Sequence, residues 1–558
     1  QFSVITDVPV GNQYEVANGS PELQFCQLLS GGSTTISYVY GTHLSAITGS
    51  KSLTAQARRL HIKVVDNSGQ ESYKNFTIYD QNRSPNTLAL AGGESLDELL
   101  KITWPKDIIS LTGTPRDTGS LFIETSFITL TSAVSSSIQS ILARLIIDGA
   151  SGTNLYSLNL NGVSLQSSAS NVVIDNCVIE STDISGVYIE GQSSANLTGN
   201  TIQNCTEWGV YAKPDSMINF GGATTSPNGN LVQNNRIGVQ LEGVGTNQQP
   251  VQVVGNTIQN NTQDGIVASL GAVVSIGGIS NGETNAILNN GGSGISLFNS
   301  DTNAMIFGNT VKGNQGVSGI YVDGGLADIT GNVVEENLKW GIYGKSGTQL
   351  TIGGNTEVQQ NTIRNNKIGI QLEGVGTVQQ PSTITGNIIQ DNTENGIVVN
   401  LGTMVTIGGT TSELANSIFN NGDSGITLFD ANTDAKIVKN TIKGNAEGIR
   451  VQGAKAGIDG NLIEENNGWG VYVYSAVDSV FVDRNIINKN KGGLISFEGS
   501  HPVILRGNLI TQSIGSENEA AVWLQGAEGT LINNTIADNN GYGLVTSVDK
   551  PLLVKNTI

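Results

Sequence analysis

The densest group of reactive side chains in the sequence is "SFEGSHPVILRGN" at 496–508, where Glu498, His501 and Arg506 stand close together and Glu517 and Glu519 follow one repeat later. These types could supply a general base, a general acid and a cationic clamp for a developing anion. An ordinary polar loop uses the same residues, and a single histidine makes that the simpler reading. A second carboxylate stands out because it is written twice: "IGVQLEGVGTNQQP" at 237–250 returns as "IGIQLEGVGTVQQP" at 368–381, so Glu242 recurs as Glu373. A unique catalytic role for either is therefore disfavoured, and a repeated corner set by its Gly-Val-Gly turn is favoured.

Other chemistries are thinly supplied. Cys26, Cys177 and Cys205 show no CxxC spacing and do not fix a redox compartment. Acidic loops leave Ca²⁺ open as a cofactor, although neither an EF-hand nor a glycine-aspartate nonapeptide spacing is present, and no other cofactor is expected. The net charge of -19, from 47 acidic and 28 basic residues, repels phosphate backbones and argues against nucleic acid. No apolar run reaches the ~18 to 20 residues of a membrane-spanning helix, so membrane insertion is not expected. The start at Gln1 reads as a mature, processed chain whose export signal, if any, is already gone.

The elements that would position these side chains are short and periodic. From about residue 170 one phrase returns: "GNTIQNCTEWGVY" at 199, "GNTIQNNTQDGIV" at 255, "GNVVEENLKWGIY" at 331, "GNIIQDNTENGIV" at 386 and "GNLIEENNGWGVY" at 460. Apolar residues alternate with period two over a few residues, and the phrase recurs every 18 to 30 residues. That spacing suits one coil of a parallel β-helix, in which each strand pairs with the same strand one turn on. Asparagines at a fixed corner (Asn200, Asn230, Asn256, Asn309, Asn332, Asn361, Asn387, Asn440, Asn461, Asn485, Asn508 and Asn534) are expected to take unusual dihedrals and to stack into a ladder. The glycine before the second strand of each phrase is expected to supply a positive φ.

Three segments flank or modulate the coils. Residues 1–84 lack the phrase, and "RRLHIKVVDNSGQESYKNFTIYD" at 58–80 reads as two strands around an Asn-Ser-Gly turn. Residues 85–113 read as linker and cap, with Ser95 and Glu98 forming a capping-box signature and Leu96, Leu99 and Leu100 an apolar helical face. Residues 114–558 read as the β-helix, containing a block of about five coils written twice, at 237–367 and 368–496, with an offset of 131. Five coils advance ~24 Å at the usual ~4.8 Å strand spacing. The position before the corner glycine reads Trp208, Ile237, Asp264, Ser293, Ser318, Trp340, Ile368, Asn395, Ser424, Glu447, Trp469. Its polar members suggest that it faces solvent, so Trp208, Trp340 and Trp469 would form an aromatic binding row. The competing reading packs each tryptophan over Ile237, Ile368 or a local loop.

The "GN-x-[IV]…G-[IV]" coils, together with "SIGGISNGETNAILNN", "TIGGNTEVQQNTIRNN" and "TIGGTTSELANSIFNN", resemble the right-handed parallel β-helix superfamily of pectate-lyase-like and carbohydrate-binding repeat proteins over about 88–558. The 58–80 hairpin resembles that of immunoglobulin-like modules in bacterial surface proteins. The first resemblance implies an all-β, single-stranded right-handed parallel β-helix with a short N-terminal capping helix and a small N-terminal β domain. It is weak for function, since the superfamily spans lyases, hydrolases, epimerases, tailspikes and silent surface proteins. The Asp-Pro-His motif of alginate epimerases and the paired-Asp and Gly-His-Gly motifs of polygalacturonases are missing here. The expectation is an extracellular or cell-surface structural or adhesive protein without catalysis, assembled through its helix ends and N-terminal domain and open to polysaccharide. The alternatives are a polysaccharide lyase or hydrolase acting on an acidic glycan, and a viral tail fibre or spike.

Overall fold

The computed structural model describes residues 87–558 apart from 102, 104, 134–138, 182–183, 223–228, 281, 498–500, 516–518 and 548, and, among residues 1–86, the backbone of six strands. The described chain is all-β, a parallel β-helix of about 19 turns with almost no helix. Contact density divides it into two units, residues 1–160 with 169–173, and residues 161–168 with 174–558.

In the larger unit each turn contributes three short strands, and stacking turns makes three parallel sheets. The first sheet holds Thr201–Gln203, Leu231–Gln233 and Thr257–Gln259. The second holds Trp208–Ala212, Ile237–Glu242 and Ile266–Ser269, and the third Met217–Gly221, Val251–Val254 and Val273–Gly277. Register keeps like over like: Ile202, Val232 and Ile258 stack in the first sheet, and Val210, Val239 and Ile266 in the second, all with no exposed surface. The period-two alternation thus sends one side chain of each pair into the core, where burial contributes about 25 cal/mol per Å² of apolar surface.

The corners carry two asparagine ladders. From Asn200 to Asn534 each side-chain amide donates to the Oδ1 of the asparagine one turn on, at 2.8–3.1 Å. Asn285 and Asn416 complete the column read from sequence. A second column, from Asn235 to Asn490 at the corner between the first and second sheets, repeats the pattern at 2.8–3.2 Å. Each rung also binds main chain, as Asn256 does at Phe220 O and Val254 O, so these buried amides are satisfied. Cys177 and Cys205 occupy the first rungs, their N–H groups donating to Asn200 and Asn235.

Two expectations about the corners change. The ladder asparagines do not take the unusual dihedral; the residue before most of them does, Gly199 at φ 64° and Asn234 at φ 57° among them, whereas Gln360 and Ala415, which end the longer loops, do not. The glycine opening each second-sheet strand is not left-handed either. Gly209 is glycine because a Cβ there would lie 2.7 Å from Gly238 O and 2.8 Å from Val232 Cγ1. Turns approach too closely at that point for any side chain.

In the smaller unit, Arg59–Val65 pairs antiparallel with Glu71–Thr77, as the hairpin reading required, and Phe2–Thr6 joins its other edge; Leu23–Cys26, Ser33–Tyr40 and Ile47–Thr54 form a separate antiparallel sheet. Side chains of residues 1–86, including Cys26, His43 and His61, lie outside the described residues. The helix spans Leu96–Leu100, and Ser95 Oγ accepts from Glu98 N–H at 3.2 Å. Leu96 and Leu100 are buried while Leu99 is half-exposed. The Glu98 carboxylate turns away to Arg116 at 3.1 Å, and Asp117 instead takes the Leu96 N–H and the Ser95 hydroxyl. Parallel pairing begins inside the segment read as linker and cap, since Thr87–Leu90 pairs with Ile108–Leu111 and the latter with Thr129–Ser132.

Candidate functional site

Of the reactive cluster at 496–508 and the carboxylates that follow it, His501, Arg506 and Glu519 are among the described residues. Glu498 and Glu517 lie outside the described residues. Arg506 makes a bidentate pair with Asp483, Nε to Oδ1 at 2.9 Å and Nη2 to Oδ2 at 2.5 Å, with its guanidinium over the Phe481 ring. Arg484 makes the same pair with Asp459 one turn earlier. Both arginines are held high by these carboxylates, so their cations belong to an inter-turn ion ladder. Glu519 is engaged by Lys491 at 3.1 Å. His501 is half-buried. Among the described residues no three His, Cys, Asp or Glu side chains gather to hold a metal.

The tryptophans take the same seat on the second sheet. Trp208 pairs with Ile237, Trp340 with Ile368 and Trp469 with Gly492 in the next turn. All three are half-buried, but the position does not uniformly face solvent: Ser293 is 3% exposed, Ser318 1% and Ser424 0%. The intervening turns interrupt any continuous aromatic row. What the duplication does reproduce is a set of contacts. Trp208 lies 4.6 Å from Tyr211 between ring centroids and Trp340 4.4 Å from Tyr343. The Tyr211 hydroxyl donates to Glu242 Oε2 at 2.6 Å, and Tyr343 to Glu373 Oε2 at 2.6 Å. Gln240 and Gln371 donate to the other oxygen of the same carboxylates. One turn earlier, Tyr188 donates to Glu190 and Tyr321 to Asp323, with Lys213 and Lys345 beside those carboxylates.

Electrostatics fix the roles. Burial first, then the hydrogen bond to a carboxylate, pushes Tyr211, Tyr321 and Tyr343 well above the ordinary phenol range. At neutral pH they are fixed donors, and their carboxylate partners are fixed acceptors. Glu242 and Glu373 are therefore neither bare corner residues nor lone bases. Sequence showed the tyrosines and glutamates but not the pairing, because the partners lie 31 and 30 residues apart.

A larger feature went unread. The third sheet bears a groove of about 1100 Å³ lined by Asn219, Gln252, Val254, Ser275, Met305, Phe307, Asp328, Thr330 and Thr351, among others. Asn219, Gln252, Ser275, Met305, Asp328 and Thr351 are register partners in successive strands, so they form one outward row. The loops after Gly277 and Gly353 contribute Ile279, Glu283, Asn355, Val358 and Gln359. The signal was present in "IGGISNGETN" and "IGGNTEVQQN", whose extra residues between strand and ladder asparagine must bulge outward.

No curated protein matches the chain. Among solved structures, the periplasmic alginate epimerase AlgG matches over 76% of this chain and 80% of its own, at 12% identity and TM-score 0.27. The A-module of mannuronan C-5 epimerase AlgE6 from Azotobacter vinelandii matches over 85% and 88%, at 12% identity and TM-score 0.17. A tailspike protein mutant of E. coli bacteriophage HK620, solved in complex with a hexasaccharide, matches over 80% and 71%, at 11% identity and TM-score 0.23. Residues 147–282, 271–442, 401–487 and 424–558 match the family described as "Right handed beta helix region", and the parallel three-sheet winding agrees with it. The chain belongs to the right-handed β-helix family.

Proposed function

We propose that the protein is an extracellular adhesive β-helix that holds a neutral polysaccharide along its third sheet without transforming it. The observation that carries this reading is the groove. It runs beside seven third-sheet strands, from Met217–Gly221 to Ser382–Thr385. Six strand spacings give ~29 Å, the length of several sugar units. Met305, Phe307 and Val254 offer apolar contact for sugar faces, while Asn219, Gln252, Ser275 and Thr351 offer hydroxyl and amide partners. Its described lining includes the carboxylates of Glu283 and Asp328 and no Lys, Arg or His, so an acidic polymer meets repulsion there. The net charge of -19 acts in the same direction.

Blocking the groove tests the reading. Met305→Arg and Ser275→Arg place long cationic side chains on the floor, and each is expected to abolish retention on the neutral polysaccharide that the native protein binds. Native-like retention by both variants overturns the assignment. A hydrolase is the second reading, favoured by the presence of two carboxylates, Glu283 and Asp328, in one groove. Release of reducing ends by the native protein, lost in Glu283→Gln and in Asp328→Asn, would replace adhesion with hydrolysis.

A further inference from the structure

The duplicated tryptophan frame borders a recess of its own in its second copy. About 320 Å³ in volume, it is lined by Trp340 and Phe429, by Ile368 and Val398, and by the polar side chains of Gln371, Glu373, Asn395 and Asn400, with Lys339 and Lys367 also on its lining. It lies on the second sheet and shares no lining residue with the groove. Its size suits one six-membered sugar ring rather than a polymer segment.

The polar groups are built in rather than left over. Gln371 is 5% exposed, and its amide nitrogen is committed to Glu373 Oε1 at 3.4 Å and to Asn400 Oδ1 at 3.2 Å. That arrangement leaves its carbonyl oxygen as an acceptor that takes no hydrogen bond from any described residue. Glu373 receives the Tyr343 hydroxyl on one oxygen and Gln371 on the other, which fixes the carboxylate and leaves lone pairs on both oxygens. The recess therefore offers acceptors to a ligand rich in donors. The indole and the phenyl ring, with the aliphatic Ile368 and Val398, offer contact for C–H surfaces. A molecule with an apolar face and a rim of hydroxyl donors meets both demands. Lys367 is paired with Glu394 and Lys339 lies 5.9 Å from the indole centroid, so a uronate carboxylate would meet Glu373 on one side and these cations on the other, which makes glucuronate the deciding probe.

We infer that the recess between Trp340 and Phe429 is a binding site for a single neutral hexopyranose unit, distinct from the polymer groove and held by Glu373 and Gln371 through the sugar hydroxyls. The inference rests on the reading of the protein as a glycan binder, and it adds a second point of attachment on another sheet. Two weak sites on one rigid solenoid raise avidity without any new contact.

Titration calorimetry and saturation-transfer NMR on the full chain test it, using the methyl glycosides of glucose, galactose, mannose and N-acetylglucosamine, with sodium glucuronate as the acidic probe. One neutral glycoside is expected to bind at one per chain. Trp340→Ala is expected to weaken it at least tenfold. Glu373→Phe, with phenylalanine in the corresponding place at Phe497, is expected to remove binding, and its thermal midpoint is measured alongside because the Tyr343 hydroxyl and the Gln371 amide lose their acceptor. Met305→Arg is expected to leave glycoside binding intact, so failure of the groove and failure of the recess read out separately. The inference is overturned if none of the neutral glycosides binds, if glucuronate binds more tightly, or if Glu373→Phe binds like the native chain.

Discussion

Trp340 and Trp469 sit in the same seat of the second sheet, one duplicated block apart, yet only the first keeps a polar site. Around Trp340 the next turn offers Gln371 and Glu373; around Trp469 the same register positions hold Ile495 and Phe497. One turn earlier, Tyr321 faces Tyr343, whereas Arg450 faces Tyr472. The backbone register is otherwise the same, so the carboxylate is not needed to wind the coil. The tryptophan belongs to the frame in both places, and the glutamate is an addition to it that accepts from Tyr343 and Gln371. Trp208 stands between the two cases: its carboxylate frame is complete, but Arg236, ion-paired with Glu207, lies with its guanidinium 5.5 Å from the indole centroid, whereas the cation near the Trp340 indole is Lys339 at 5.9 Å, and Asp264 and Ser269 replace Asn395 and Asn400.

If the frame is common and the site is not, damage to the frame should hurt equally everywhere. Gly341→Ala and Gly470→Ala each drive a Cβ to within 2.6–2.8 Å of a carbonyl oxygen in the next turn. Each is expected to cost about 3 kcal/mol by urea unfolding, as overpacking against backbone does. Tolerance at one position only would break the equivalence. A rim exchange probes the first copy: Glu207→Lys with Arg236→Lys, Asp264→Asn and Ser269→Asn rewrites the Trp208 seat as the Trp340 seat. Glycoside stoichiometry is expected to rise from one to two per chain, and no change would mean that the shared Trp-Tyr-Gln-Glu frame does not define the recess.

Alkaline pH separates the copies from the third seat by a smaller effect. Tyr211, Tyr321 and Tyr343 have folded-state pKa values raised above the ordinary value of about 10. Their contribution is complete below that value and is lost as pH climbs toward the folded pKa, because the unfolded chain releases the proton first. Thermal midpoints should therefore fall between pH 10 and 11.5, and Tyr211→Phe with Tyr343→Phe should flatten the fall. An unchanged slope would place the raised values elsewhere. The smallest effect belongs to Asp264, whose pKa is raised chiefly by burial despite the N–H of Ser293. Its share of stability is present below the ordinary carboxylate range and is lost as pH rises through the folded value. Asp264→Asn, as in the second copy, should stabilise at pH 7 by less than about 1 kcal/mol and lose that gain near pH 3.

The same seats show what the sequence could disclose. Period-two alternation and the recurring asparagine specified the parallel coil and its first ladder, because stacking makes every turn meet its own copy. Much of the second ladder stayed hidden in "NN" pairs: in one such as Asn260-Asn261 the first asparagine takes the left-handed turn while the second joins the ladder. A glycine can be present for a positive φ or for want of a Cβ, and spacing alone assigned Gly209 to the wrong cause. Ser293 and Ser318 read as solvent-facing by type, but both are buried, with Ser318 N–H donating to Ser293 Oγ across the turn. The Tyr211-Glu242 and Tyr343-Glu373 pairs were illegible because each joins residues from successive turns, while the groove left only the two long loops after Gly277 and Gly353 as its trace in the sequence.

The central claim is that the lateral surface binds glycan and does not transform it. Affinity electrophoresis of the native chain through gels containing neutral or acidic polysaccharides, with the polymer recovered afterwards and sized, tests that claim most directly. The expected result is retardation in a neutral gel, migration as in a blank gel with the acidic polymers, and recovered chains of unchanged length. Shortened chains or new reducing ends, or free migration through every neutral gel, would contradict it.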